Sequence, residues 1–271
     1  MTLNNKQVAF IGGGHITEII VGNLIRTQTV SPDRIIVSDP DKDRLQTLCS
    51  KHSIETAVDN IDAVNRGDFI FINVLPQVVP EVIEELVRKP IPEDKVIISI
   101  AGGVPIERYR PLGERLPVVR ALPNPPSQIG WGIAALAFNA HITETQRNGI
   151  LEIFTSLGEY VILKESLINA VMALSSPVST YQFFQSLIDA GVRCGIDRKT
   201  STKVAYQTIV GSLEAWKRRQ LSPSLLMEEA SSPGGISVES LYTLDRYAFS
   251  AAIKEAIANA VARAEELGAS E

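Results

Sequence analysis

Residues 8–24 read VAFIGGGHITEIIVGNL. An apolar run, Val8 to Ile11, meets three glycines, Gly12, Gly13 and Gly14. Ile16, Ile19, Ile20 and Leu24 then recur at helical spacing. A strand that ends in glycines at the mouth of a helix is the pattern of a dinucleotide-phosphate loop. The first glycine allows the tight turn, the second lets backbone approach a pyrophosphate, and the free N–H groups of the helix start favour an anion. Here the fingerprint reads Gly12-x-Gly14-x-x-Thr17. Threonine at the third position predicts looser or displaced packing of the helix. His15 and Ile16 complete the loop, and His15 either contacts phosphate or faces solvent.

Further along, IIVSDPD closes a second apolar run. Asp39 stands where an acidic residue accepts from the adenosine ribose 2′-hydroxyl and repels a 2′-phosphate. It also fits a turn before Pro40, and Lys42 and Arg44 lie close enough in sequence to serve such a phosphate. The balance favours NADH over NADPH.

The alternation continues outward. Arg34–Ser38, Phe69–Val74, Val96–Ile100, Val118–Leu122, Ile133–Ala137 and Tyr160–Leu163 read as strands. Ile16–Arg26, Lys42–Lys51, Val78–Val87 and Glu144–Ser156 read as helices between them, the last opened by a Thr143-x-x-Gln146 capping box. This predicts an α/β Rossmann domain with a mostly parallel sheet over residues 1–164. Beyond it Leu167–Leu174, Tyr181–Val192, Lys199–Arg219, Leu225–Glu229, Val238–Leu244 and Ala248–Leu267 are all helical in pattern. Residues 165–271 are therefore expected to form an all-α domain, whose apolar final helix suits burial against a partner.

Composition narrows the class. Across 271 residues the net charge is −5, which argues against nucleic acid as a partner. Two cysteines, Cys49 and Cys194, are too few for a disulfide framework, and His52 and His141 lack metal-ligand company. No basic-then-apolar leader precedes the first strand and no apolar run approaches a membrane span, so a cytoplasmic protein with no metal and no membrane partner is expected.

Near the end the chain reads SSPGGISVESLYTLDRYAF. Pro233-Gly234-Gly235 forces a turn and Ser237 begins a helical pattern, offering backbone amides and a hydroxyl to a carboxylate. The same residues also fit an ordinary capped helix. At this point the chain resembles the pyrroline-5-carboxylate reductase family, which carries a Ser-Pro-Gly-Gly-x-Thr loop. SIAGGVPIERY from Ser99, VVRALPNPPSQIGWG with Arg120, Pro123 and Asn124, LIDAGVRCGI and AYQTIVGS follow the family's segments in order.

The resemblance implies hydride transfer from NAD(P)H to the C=N of a cyclic imino acid, pyrroline-5-carboxylate to proline, in a homodimer or larger homo-oligomer. It implies Ser237 and Asn124 as catalytic residues. Leu75, Pro76, Ala101 and Gly102 would lie beside the cofactor, with Gly12, Gly13, Gly14, His15, Ile16 and Asp39. Ser176, Ser232, Gly234, Gly235, Ile236 and Ser237 would hold the carboxylated substrate. The chain departs from the family at Leu75, where lysine is usual, and at His15-Ile16-Thr17, where Asn-Met-Ala is common. It departs again at Ser175-Ser176-Pro177-Val178-Ser179-Thr180, which replaces Ser-Gly-Ser-Gly-Pro-Ala. Loss of those glycines keeps two other readings open: a related imine or oxo-acid reductase, and a non-catalytic nucleotide-binding regulatory dimer.

Overall fold

The apolar run before the glycines is strand β1 (Val8–Ile11). A computed structural model describes residue 3 and residues 5–269 of the protein. The further strands are β2 (Ile35–Ser38), β3 (Glu55–Thr56), β4 (Phe69–Ile72), β5 (Val96–Ser99), β6 (Val118–Pro123), β7 (Gly132–Phe138) and β8 (Gly158–Ile162). Among the described residues they form one sheet in the order β3-β2-β1-β4-β5-β6-β7-β8. Only β6 and β7 run antiparallel within it.

Helices α1 (His15–Arg26), α2 (Lys42–His52), α3 (Asn60–Arg66), α4 (Val79–Leu86), α5 (Glu144–Thr155) and α6 (Ile168–Leu174) connect or follow the strands. Every residue of β1, β2, β4 and β5 is buried, as continuous apolar runs require when both sheet faces are covered. Val8 and Phe10 join Val37 and Phe71 in the core beneath α1 and α5, while Ala9 and Ile11 join Ile36, Ile70 and Ile72 in the opposite core with α3 and α4. The Phe10 and Phe71 rings stack 4.7 Å apart at the centre of the first. The capping box at Thr143 and Gln146 forms as expected.

The remaining helices are α7 (Val178–Arg193), α8 (Arg198–Arg219), α9 (Pro223–Glu229), α10 (Ile236–Arg246) and α11 (Phe249–Ala269). The chain forms two compact units. One comprises the residues up to Ser175 together with those from Ala260 on, and the other runs from Ser176 to Asn259. The first unit extends past the boundary expected at residue 164, because α6 packs as a layer on the sheet. Ile168 is fully buried against Leu122, Ala135 and Ala137.

Within the second unit α7 and α8 come so close that a Cβ on Gly191 would meet the Ser201 hydroxyl at 2.6 Å. Arg219 grips Glu229 through two bonds of 2.6 and 2.9 Å. This unit leaves many large apolar side chains uncovered, among them Tyr206, Leu213 and Trp216 of α8 and Ile253 of α11. Large apolar side chains exposed together in this way mark an interaction surface.

Candidate active site

The glycine loop is shaped by its neighbours. Gly12 adopts φ +97°, and a Cβ there would meet the Asn73 carbonyl oxygen at 2.6 Å, so only glycine passes. Thr17, expected to loosen the helix, is instead fully buried. Its hydroxyl donates to the Gly12 carbonyl and accepts from Asn73 Nδ2 at 3.1 Å, so the extra atoms are absorbed by hydrogen bonds rather than by displacement. Gly14 is the N-cap of α1 with no side-chain cap, and a Cβ on it would meet nothing within 4 Å. The amides of the first turn of α1 thus open onto free space.

That space belongs to a cleft of about 560 Å³ at the carboxyl ends of β1, β2 and β4, where open parallel sheets bind ligands. Gly12, Gly14, Asp39 and Leu75 line it, joined by Ser38, Asn60, Asn73 and Val74. Four carboxylates, Asp39, Asp59, Glu81 and Glu85, stand on its walls, and among the described residues no lysine or arginine does. Asn73 Oδ1 is buried at the cleft without a partner, an acceptor left for a donor from outside the protein. An uncapped helix start, open space at Gly14 and this orphaned acceptor fit a dinucleotide cofactor. Asn60 and Asn73 escaped the sequence reading. Their signal was position alone, Asn73 immediately after β4 and Asn60 opening a helix too short to notice.

The other expected residues are placed differently. Gly13 lies buried behind the loop, its N–H donating to Asp39 Oδ2 at 2.6 Å. His15 is exposed and faces a second cavity of about 280 Å³, with Glu18, Arg26 and His52. Neither Ile16 nor Pro76 lines the cleft. Ala101 and Gly102 follow β5 at the same end of the sheet, and Gly102 lies near Met172 of α6.

Beside them is a buried polar cluster. Arg120 donates to Asn169 Oδ1 at 2.8 Å and lies 3.7 Å from Glu165, whose carboxylate also accepts from the Ile106 amide at 2.7 Å. Burial pulls the Arg120 guanidinium below its ordinary pKa, while Glu165 counteracts it. Tyr109 bonds Ser99 Oγ at 2.6 Å, and burial pushes its hydroxyl up to about 12. Asn124 accepts from the Ile133 amide at 2.8 Å and donates to the Ser175 carbonyl at 2.9 Å. Its amide group braces the end of β6 against the segment after α6.

In the second unit, Gly234 takes φ +69° and the Gly235 amide closes a turn on the Ser232 carbonyl at 2.9 Å. Gly235 is the N-cap of α10 without a side-chain cap, so the amides around Ile236 and Ser237 are presented outward. Ser232, Ile236 and Ser237 are exposed. Ser176 is half-buried two residues before α7, whose N-cap is Pro177.

Comparison with known proteins agrees over the whole chain. Residues 165–267 match the family model described as pyrroline-5-carboxylate reductase dimerisation, and residues 7–103 match that described as NADP oxidoreductase coenzyme F420-dependent. The pyrroline-5-carboxylate reductase of Synechocystis is 32% identical over 267 residues, covering 97% of this chain and 98% of that one. That of Escherichia coli is 30% identical, covering 98% and 99%. Among solved structures, the pyrroline carboxylate reductase of Plasmodium falciparum, with NADP bound, superposes with a TM-score of 0.88 at 26% identity, covering 98% of this chain and 99% of that one. The Coxiella burnetii pyrroline-5-carboxylate reductase gives 0.88 at 28%, covering 97% and 99%.

Proposed function

The chain belongs to the pyrroline-5-carboxylate reductase family and is an NAD(P)H-dependent oxidoreductase that reduces pyrroline-5-carboxylate to proline; from that premise we propose how its residues divide the work. The full-length kinship to reductases of this one activity carries the assignment. When bound, the reduced nicotinamide supplies a hydride that adds to the protonated C=N, leaving a secondary amine with atoms and charge in balance. Because a protonated imine is already electrophilic, the protein's contribution is placement.

The first-turn amides of α1 hold the pyrophosphate, supported by the missing cap at Gly14 and the open space beside it. Asp39 accepts from the adenosine ribose. The four carboxylates of the cleft, with no lysine or arginine among its described residues, support a preference for NADH, since a 2′-phosphate would add charge to an acidic site with no cation to offset it. The uncapped turn at Gly234–Ser237 receives the substrate carboxylate, and the Ser237 hydroxyl donates to it. Asn124 positions the Ser175 backbone. Homo-oligomerisation follows from the dimerisation domain, and the uncovered apolar side chains of the second unit support a dimer as its smallest form.

The test is binding and turnover with both nucleotides. NADH binds more tightly than NADPH, and Asp39→Ser reverses the order; equal or tighter NADPH binding in the parent protein removes the preference. Light scattering at micromolar concentration reports at least a dimer, and a monodisperse monomer rejects that part.

A further inference from the structure

Arg44 is one of two basic residues, with Lys42, that the sequence offers to a cofactor 2′-phosphate, and its guanidinium is committed elsewhere. Nε donates to the Gly13 carbonyl at 2.5 Å, and Nη2 donates to the Gly14 carbonyl at 3.2 Å and to Glu18 Oε2 at 2.7 Å. Lys51 closes the other side of Glu18 at 2.6 Å, and these two cations hold the Glu18 carboxyl down at about 2. Arg44 is absent from the residues lining the cleft. From the opposite side Asp39 Oδ2 accepts the Gly13 N–H at 2.6 Å, and Asp39 Oδ1 accepts the Asp41 N–H at 2.8 Å. An anion therefore grips the N–H of Gly13 while a cation grips its carbonyl.

We propose that Arg44 is a positioning residue for the cofactor, a clamp that holds the glycine loop in its binding shape and takes no part in recognising the 2′-phosphate. Glycines are the most conformationally costly residues to order, and Gly12, Gly13 and Gly14 stand in a row. Bonds from the planar guanidinium fork to two successive carbonyls remove that freedom before the cofactor arrives, which lowers the ordering cost of binding. Arg44 is itself set in place, because the Asp41 carboxylate caps α2 by accepting from the amides of Asp43 and Arg44 at 3.0 Å each. Glu18 neutralises the charge, leaving the cleft acidic.

The inference rests on the cofactor-binding reading, and a titration separates the two. NADH and NADPH dissociation constants are measured by fluorescence on the full-length protein, its Arg44→Met and Arg44→Lys variants, and turnover is measured alongside. Arg44→Met weakens both nucleotides by the same factor, about tenfold, with kcat unchanged. Arg44→Lys fails to restore binding, because an ammonium keeps the charge and loses the fork. A loss confined to NADPH would make Arg44 a 2′-phosphate ligand and overturn the proposal, as would parent-like binding of both nucleotides by Arg44→Met. Should Arg44→Met not fold, Arg44→Gln, whose amide reaches one carbonyl, gives a smaller loss common to both nucleotides, and parent-like affinity there overturns the clamp. Failure of the parent protein to bind either nucleotide counts against the cofactor reading instead.

Discussion

Alanine at Gly14 and alanine at Gly12 separate the two jobs of the glycine loop. Gly14 sits at φ −63°, ψ −174°, extended backbone that alanine adopts without strain, and its Cβ would meet nothing within 4 Å. Alanine there gains roughly 0.4–1 kcal/mol by restricting the unfolded chain. It loses a similar amount as a poorer N-cap, so stability stays near that of the parent. The added methyl instead occupies the space into which the first turn of α1 points. Overpacking against a bound pyrophosphate costs about 1–3 kcal/mol, a roughly five- to 150-fold weaker Kd for NADH. Gly12 differs on both counts. Its φ of +97° costs alanine about 1–2 kcal/mol, and a Cβ at 2.6 Å from the Asn73 carbonyl oxygen forces β1 and β4 to shift. A total of about 2–5 kcal/mol lowers Tm by roughly 5–15 °C. Thermal melting and NADH fluorescence titration on both variants give the comparison. Unchanged NADH affinity in a folded Gly14→Ala protein would refute the placement of the pyrophosphate at this turn.

Three further outcomes follow from the structure. Glu18 titrates near 2 instead of 4.5, so its ion pairs stabilise the protein fully above about pH 4.5 and are lost as pH falls toward 2. Glu18→Gln should therefore lower the urea midpoint by an amount equivalent to about 1–2 kcal/mol near neutrality, with the gap narrowing below about pH 4.5 and closing toward pH 2; a gap that widens in acid contradicts the sign. Tyr109→Phe removes the partner of the fully buried Ser99 hydroxyl and should cost about 1–3 kcal/mol in a chemical denaturation series, whereas a neutral result places a hidden acceptor beside Ser99. Returning Ser176 and Val178 to glycine should raise kcat/KM for pyrroline-5-carboxylate ten- to a few-hundredfold, the scale of a poorly fitted packed site. No gain would show that the altered segment leaves substrate fit untouched.

The sheet was legible because its strands are buried on both faces, so Val8–Ile11 and Phe69–Ile72 appear as unbroken apolar runs. The segment from residue 53 to 66 was not. β3 is two exposed residues, and α3 buries only Ala63 and Val64, too little apolar surface to mark a period. Yet Asn60 from that stretch lines the cleft. Glycine spacing marked the turn between β1 and α1, while the bonds that Asp39 and Arg44 make to it depend on which way their side chains turn, which spacing does not encode. Arg44 turned behind the loop because Glu18, one turn into α1, offered it a carboxylate. The compact unit that holds the sheet runs on to Ser175, past residue 165 where the match to the dimerisation model begins, for a related reason. α6 has the pattern of a helix, but what assigns it to the sheet is Ile168 packing on Ala135 and Ala137.

Reduction of pyrroline-5-carboxylate by this protein is tested most directly by one measurement: proline formed when the purified protein is given pyrroline-5-carboxylate and NADH. Proline should accumulate in step with NADH oxidised, more slowly with NADPH at equal subsaturating concentration, and Ser237→Ala should slow both. Oxidation of neither nucleotide and no proline, in a protein that still binds NADH, would contradict it.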